Sequence, residues 1–284
     1  MLVATAGMAA ADITFNGFGR FGLKYQGNEG AQVDETTMEQ RFRLNIVGTA
    51  ETDGGVKFGA RMRIETNDNA EGEGESTKAR APEFNVEAGG FRVDVGNTSD
   101  ALDSGDVVDY YGYGIGLTSF LEQSSGFGLP ASGISGADTV DPTLKARYSI
   151  GDFTVNGSYT TDADDDDNEE WMVGAGYAFG DFAVGGLFGS TDTAADDNDF
   201  WAVSYGGNFS SFGFSLLVAD SDDQDDVSYG GSIVIPIGAA TDIRIVANDT
   251  GYDDDKTQYG IGFRHSLGGG VSLRGGFGRD ANDY

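Results

Sequence analysis

Apolar and polar residues alternate with period 2 from position 12 onward, which is the pattern of β-strands that bury one face. In the segment ITFNGFGRFGLKY, Ile13, Phe15 and Leu23 share one parity, whereas Thr14 and Arg20 take the other. The same alternation continues to the end of the chain and predicts fifteen strands, near residues 13–25, 38–46, 56–65, 83–88, 91–97, 143–150, 153–160, 171–179, 182–190, 200–209, 212–219, 227–237, 242–249, 257–267 and 271–279.

The connections between these strands alternate strictly between short turns and long polar loops. Residues 53–55, 89–90 and 268–270 are short turns, whereas segments such as DADDDDNEE, TDTAADDND and GYDDDK are longer and acidic. One end of the sheet therefore carries tight turns and the other end carries loops. This asymmetry is typical of an up-and-down antiparallel β-barrel that spans an outer membrane with short periplasmic turns. A soluble β-sandwich would mix turn lengths at both ends.

Aromatic residues occur at both ends of the predicted strands. Those near the short turns are Phe91, Phe153, Phe179, Phe182, Phe209 and Phe212, and those near the long loops are Tyr25, Tyr159, Trp171, Trp201, Tyr229 and Tyr259. Two aromatic girdles around an aliphatic band match the two interfaces of a bilayer. We therefore expect the apolar parity to face lipid and the polar parity to face a water-filled interior.

Composition and charge exclude several functional classes. The 284 residues include 46 Gly, no Cys and one His, and the formal net charge is -30. The lack of Cys excludes disulfides, thiolate metal sites and thiol catalysis. The acidic balance argues against nucleic acid as a partner. A single His, His265, excludes a multi-His site, and its parity, shared with the apolar Phe263, argues against a His-based triad. GFGRFG, residues 17–22, matches a dinucleotide fingerprint, but it lies inside an alternating strand, where Gly relieves crowding instead.

The two ends of the sequence predict a cleaved signal peptide and a missing final strand. Residues 1–11, MLVATAGMAAA, resemble the second half of a signal peptide, with cleavage expected before Asp12; an ordinary first strand is the alternative. Residues 12–284 are then one barrel domain. Single-chain bacterial barrels have an even number of strands, so the predicted count of fifteen leads us to expect that a final strand is missing after GRDANDY.

Cations occupy the polar parity of the early strands, and a long acidic segment follows them. The predicted basic cluster is Arg20, Lys24, Arg41, Arg43, Lys57, Arg61, Arg63 and Arg92. The segment 98–141 has apolar residues of its own, and small residues line the inner parity of strands 171–179 and 182–190, so we expect the segment to fold inward as a constriction loop. Its predicted lumen-facing acids are Asp100, Asp103, Asp106, Asp109 and Glu122.

Opposed charges across a narrow aqueous opening create a transverse field that sets ion preference. Ion pairing within the wall itself is the alternative interpretation. The acidic loops also suggest calcium, because carboxylates are hard oxygen ligands. DADDDDNEE lacks the Gly and terminal Glu of an EF-hand loop, however, so the metal site stays unassigned, and solvated loops are the simpler interpretation.

Residues 11–25, ADITFNGFGRFGLKY, and 41–66, RFRLNIVGTAETDGGVKFGARMRIET, resemble general diffusion porins of Gram-negative bacteria, and specifically those of the alphaproteobacterial, Rhodobacter type. The long third loop and hairpins such as YAFGDFAVGGLFG support this resemblance, which extends from position 12 to the end. It implies a sixteen-stranded barrel, a homotrimer in outer-membrane lipid and lipopolysaccharide, and an inward third loop whose acids face a basic wall. It also makes calcium plausible, with no cofactor required.

The function that follows is passive diffusion of small hydrophilic solutes and ions, without covalent chemistry. A substrate-specific channel is the narrower alternative, although the inner parity of the first three strands offers cations and only Phe18 as an aromatic residue. A barrel enzyme would need a nucleophile with a general base, and the single His, at an expected interface position, argues strongly against it. A calcium-binding surface β-protein would need repeated Gly-Asp nonapeptides, which the sequence lacks.

Overall fold

The computed structural model describes residues 12–27, 36–68, 78–116, 121–130, 142–161, 169–193 and 197–281. The expected signal-peptide remnant at 1–11, most of the DADDDDNEE loop and part of the 98–141 segment lie outside the described residues, as does the end of the chain after residue 281. Within the described residues, no helix is long and apolar enough to cross a membrane.

The described chain is built from β-strands. Their bounds are β1 Asp12–Tyr25, β2 Thr36–Glu51, β3 Lys57–Asp68, β4 Lys78–Ala79, β5 Glu83–Ala88, β6 Phe91–Gly96, β7 Thr143–Ile150, β8 Phe153–Thr161, β9 Glu169–Phe179, β10 Phe182–Asp192, β11 Asp197–Phe209, β12 Phe212–Ser221, β13 Ser228–Pro236, β14 Thr241–Asp249, β15 Gln258–Gly268 and β16 Val271–Arg279. The fifteen predicted strands are all present. The prediction missed β4, which has two residues, and it underestimated the length of β2.

The strands form one antiparallel sheet in chain order. Each pairs with the strand before it and the strand after it, from β1 to β16, except that β4 pairs only with β3 and β5 therefore also pairs with β3. This is the up-and-down order that the alternating turn lengths predict. Gly55, at the turn between β2 and β3, has a φ of 79°, a left-handed conformation that glycine adopts without steric cost.

The two faces of the sheet differ in polarity, because the register keeps the alternating residues of neighbouring strands on one side. The outer face is apolar and exposed, as at Phe21 (84% exposed), Phe277 (75%) and Val173 (54%). The expected girdle residues Tyr25, Trp171, Tyr229 and Tyr259 are exposed in the same way. A continuous apolar exterior of this extent is unfavourable in water and is typical of a lipid-facing surface.

The hydrophobic core lies on the inner face, between the sheet and the segment that follows β6. In this segment, which we call the inner loop (residues 97–130 as described), Leu102, Val108 and Phe127 are fully buried. They belong to one cluster with strand residues such as Leu187 and Phe200. A second cluster joins Ile115 and Leu121 of the inner loop to Val246 on β14. The inner loop is thus packed against the late strands.

Candidate functional site

The first three strands bring cations together on the inner face. In the register of β1 and β2, Arg20 lies opposite Arg41 and Phe18 lies opposite Arg43. The guanidinium carbons of Arg20 and Arg43 are 5.5 and 5.1 Å from the centre of the Phe18 ring. Such contacts are attractive, because the ring face carries partial negative charge. The Phe18 ring therefore holds two guanidinium groups side by side.

Carboxylates are interleaved with these cations, and the sequence-based cluster omitted them. Glu65 lies opposite Arg43 in the register of β2 and β3, and its carboxylate accepts a hydrogen bond from Arg43 Nε. The Nε atom of Arg41 is 4.0 Å from the same carboxylate. Arg63 Nε donates to Asn45 Oδ1 at 3.2 Å. The cations on β1 to β3 thus surround Glu65, whose inward parity was readable from the sequence.

Nearer the short turns, two predicted cations have carboxylate partners, on the neighbouring strand β5 for Arg61 and on the same strand β6 for Arg92. Arg61 Nη2 lies 2.6 Å from Glu83 Oε2, and Arg92 Nη2 lies 2.6 Å from Asp94 Oδ1. Glu83 and Asp94 also share the inward parity of their strands, so the pattern alone could have identified them. The remaining two predicted cations differ: Lys24 is half-buried on β1, and Lys57 is exposed beside the turn at 53–55.

The structure places Asp106 of the inner loop beside cations that the sequence analysis did not single out. Lys145 Nζ lies 3.1 Å from Asp106 Oδ2, and Arg147 Nη1 lies 2.7 Å from Asp106 Oδ1. Burial raises the pKa of Asp106, but the two cations outweigh it and hold this pKa below its usual range. Both cations have inward parity on β7. Their pairing with Asp106 depends on the path of the inner loop, which parity does not reveal.

The other predicted acids of the inner loop make hydrogen bonds that shape it. Asp100 Oδ1 accepts from the backbone N–H of Leu102 at 2.8 Å and from that of Asp103 at 2.7 Å. Burial, followed by the nearby Glu170, raises the pKa of Asp100 well above its usual value. Asp103 Oδ1 accepts from the hydroxyl of Tyr111 at 2.7 Å. These acids fix turns within the loop.

Asp109 and Glu122 differ in how their carboxylates are held. Asp109 Oδ2 accepts from the Ser215 hydroxyl at 2.6 Å, and its Oδ1 accepts from the backbone N–H of Gly112 at 3.0 Å. Glu122 is half-buried, and burial raises its pKa to about 7. The Glu122 carboxyl therefore titrates in the neutral range, whereas the carboxylate of Asp109 is tied to the wall.

The inner loop is attached to the sheet by small and polar residues of the late strands. Val107 packs against Gly174, Gly176 and Gly185, where added Cβ atoms would meet it. Further along, Gln123 Nε2 donates to Ser215 Oγ at 3.1 Å. The other polar attachments are Ser158 to Ala101 N–H, Ser204 to Asp109 N–H, Ser232 to Tyr113 N–H, Asn248 to Glu122 carbonyl and Gln258 to Ser125 carbonyl.

The acidic loops of the sequence suggest calcium as a ligand. In the part of the chain that the structure describes, no group of three or more His, Cys, Asp or Glu residues is arranged to hold a metal ion. Several acidic loop residues lie outside the described ranges, so calcium at the loops stays a prediction.

Comparisons with known proteins agree on one family. Residues 1–284 match the family model described as Gram-negative porin. A porin from Fuscovulum blasticum is 30% identical over 300 residues, covering 93% of each chain. A porin from Rhodobacter capsulatus is 26% identical over 303 residues, with the same coverage. Among solved structures, a mutant of the Rh. blastica porin gives a TM-score of 0.81 at 26% identity and covers 96% of each chain. A triple mutant of the Rhodopseudomonas blastica porin gives 0.78 at 27% identity, with the same coverage.

Proposed function

Because this chain belongs to the Gram-negative porin family, we propose that the charged groups of its inner face form the constriction of the pore. The fold is the transmembrane, antiparallel, up-and-down β-barrel of that family. The protein is an outer-membrane diffusion channel and is not an enzyme. Lipid therefore surrounds the apolar outer face, and water fills the space between the β1–β3 wall and the inner loop.

The observation that carries the proposal is the clustering of Arg20, Arg41 and Arg43 around Phe18 and Glu65. Guanidinium groups stay charged across the accessible pH range, so this wall has a fixed positive charge. The inner loop contacts strands from β7 to β16, and it carries Asp109 and Glu122. The two surfaces then face each other across water.

Such an arrangement selects solutes through its electric field, and it needs no energy input. The field between a cationic wall and an acidic loop orients dipolar solutes and favours ions of one sign. Small hydrophilic solutes and ions are therefore the proposed substrates. A substrate-specific channel is not favoured, because Phe18 is the single aromatic residue on the inner parity of β1 to β3.

The test is planar-bilayer conductance with ion selectivity from reversal potentials. The double variant Arg41→Glu, Arg43→Glu removes two positive charges and adds two negative ones, so selectivity is expected to shift strongly toward cations. The double variant Arg41→Lys, Arg43→Lys keeps the charge and is the matched control. Unchanged selectivity in the Glu variant would contradict the charged wall, although the protein would remain a porin.

We also propose that the protein assembles as a homotrimer in a membrane of outer-membrane lipid and lipopolysaccharide. The exposed apolar face supports a lipid environment, and the porin family supports a trimer. A trimer in mild detergent should migrate as one species on gels and dissociate on heating. A monomeric mass for conducting, correctly folded protein, measured by light scattering, would contradict the trimer.

A further inference from the structure

A second group of cations lies on the inner face of the last three strands. Arg244 is on β14, Arg264 on β15 and Arg274 on β16. Arg264 lies directly opposite Arg274 in the register of β15 and β16, and Asp242 on β14 lies opposite Arg264. All of these residues share the inward parity of their strands. They lie outside the predicted basic cluster, although the alternation places them on the polar face.

The three arginines differ in the partners of their guanidinium groups. Arg244 Nε donates to Asp242 Oδ1 at 2.7 Å, and Arg244 Nη1 donates to the carbonyl of Gly114 in the inner loop at 3.1 Å. Arg264 and Arg274 are both exposed, and across the described ranges no carboxylate oxygen lies within 4.0 Å of either side-chain cation. Arg43, Arg61 and Arg92, by contrast, each have a close carboxylate.

Polar and small residues surround this arginine pair. Ser266 and Ser272 lie opposite each other one inward row closer to the turn at 268–270. Gly262 and Gly276 form the next row on the other side. An added Cβ atom on Gly276 would lie 3.1 Å from the carbonyl oxygen of Ile115, so the inner loop covers that row. The pair thus lies between the loop and the short turn, with two hydroxyl groups alongside.

Two like charges directly opposite each other on adjacent strands destabilise a sheet. Opposed residues have Cα atoms about 4.5–5.5 Å apart, so two guanidinium groups can reach the oxygens of one tetrahedral anion. Arg binds phosphate through paired N–H donors more strongly than neutral donors do. An anion with two negative charges would offset the repulsion and also accept hydrogen bonds from the serine hydroxyls.

We propose that Arg264 and Arg274, together with Ser266 and Ser272, form a binding subsite for phosphate-type dianions inside the pore, on the side of the short turns. The inference deepens the proposed function and rests on its water-filled interior. The subsite would concentrate phosphate-bearing solutes at that end of the channel.

The experiment is isothermal titration calorimetry of the intact protein in detergent micelles, with inorganic pyrophosphate as the probe. The double variant Arg264→Gln, Arg274→Gln is expected to weaken binding at least tenfold. Ser272→Asp places a carboxylate next to the pair and should weaken binding to a similar extent, whereas the similarly sized Ser272→Asn loses the hydroxyl but adds no charge and should weaken binding much less. The affinity of the unmodified protein should also fall as KCl is raised, since salt screens exposed charges.

Equal pyrophosphate affinity in the unmodified protein and the arginine double variant would overturn the subsite, as would the absence of binding to the unmodified protein. Ser272→Asp adds a residue-level test, because it leaves both arginines in place. Bilayer conductance of the same preparations separates this inference from the proposed function. A conducting, charge-selective channel without pyrophosphate binding contradicts only the subsite, and binding with unchanged selectivity after reversal of Arg41 and Arg43 contradicts only the charged wall.

Discussion

The carbonyl oxygen of Val107 lies against the Cα of Gly185, so close that a Cβ atom on residue 185 would overlap it. On the neighbouring strand β9, a Cβ atom would lie 2.7 Å from Val107 Cγ2 if added to Gly174 and 3.4 Å from Val107 Cα if added to Gly176. The inner loop therefore approaches the backbone of the wall at a place where side chains are missing. These glycines set how far the loop stands from the wall, and hence how much of the lumen stays open.

Replacing Gly185→Ala should push Val107 away from the wall and toward the pore axis. Overpacking of a tight contact costs about 1–3 kcal/mol, so we expect a lower melting temperature together with a lower single-channel conductance. Gly186→Ala is the matched control, because an added Cβ atom there would lie 3.5 Å from Val203 Cγ2, an ordinary contact on the outer face. A Gly185→Ala variant with the conductance and melting temperature of the wild type would contradict this role of the glycine.

Gln123 is fully buried and joins the inner loop to two strands. Its Nε2 donates to Ser215 Oγ at 3.1 Å, and its Oε1 accepts from Ser232 Oγ at 3.1 Å. Gln123→Leu should remove one hydrogen bond from each serine hydroxyl, at a cost of about 0.5–1.5 kcal/mol for each bond, while Ser215 keeps its bond to Asp109 and Ser232 keeps the Tyr113 N–H. Thermal unfolding followed by circular dichroism measures the loss. Ser124→Ala, at a buried neighbour, is the control and should change stability much less.

Asp106→Asn removes the carboxylate that Lys145 and Arg147 share. Breaking a buried ion pair by removing one partner costs about 3–5 kcal/mol, and we expect the lower end because the Arg147 side chain is 34% exposed. The uncompensated cations should also shift selectivity toward anions, measured as reversal potential. Asp152→Asn, in an exposed short turn, is the control. A variant with unchanged stability and selectivity would contradict the pairing.

The same carboxylate gives a pH dependence of defined sign. The folded pKa of Asp106 lies below its usual value, so its contribution to stability is present at neutral pH and is lost as the pH falls through the folded pKa. Acid unfolding of the wild type should therefore be steeper than that of Asp106→Asn. Identical acid-unfolding curves for the two proteins would argue against a depressed pKa.

Glu122 should titrate near neutrality in the folded protein, because burial raises its pKa to about 7. The folded state then holds a proton that the unfolded state releases at lower pH, so stability falls as the pH rises from the unfolded pKa to about 7. The charge that appears above that pH should shift selectivity toward cations. Reversal potentials measured across this pH range should show a step in selectivity. Glu122→Gln is the control that should lack this step. A step that persists in Glu122→Gln must come from another group.

The strands were predictable because alternation is a local property that register preserves across the sheet. The partners of the cations were only partly predictable. Glu65 and Glu83 share the inward parity of their strands, so register alone would have placed them beside Arg43 and Arg61. The contact of Asp106 with Lys145 and Arg147 depends on the three-dimensional path of the inner loop, which no local pattern encodes. The register of β15 and β16 likewise places Arg264 opposite Arg274.

The inner loop also constrains the order in which the chain can fold. Its hydrogen bonds reach from Ser158 on β8 to Gln258 on β15, and the last of these spans 133 residues of sequence. Every strand pair, by contrast, joins neighbours along the chain. Since distant contacts require more loop-closure entropy than local ones, hairpins form first and the loop cannot be fully seated until β15 is in place. The channel therefore acquires its final bore at a late step of assembly, after most of its wall has been built.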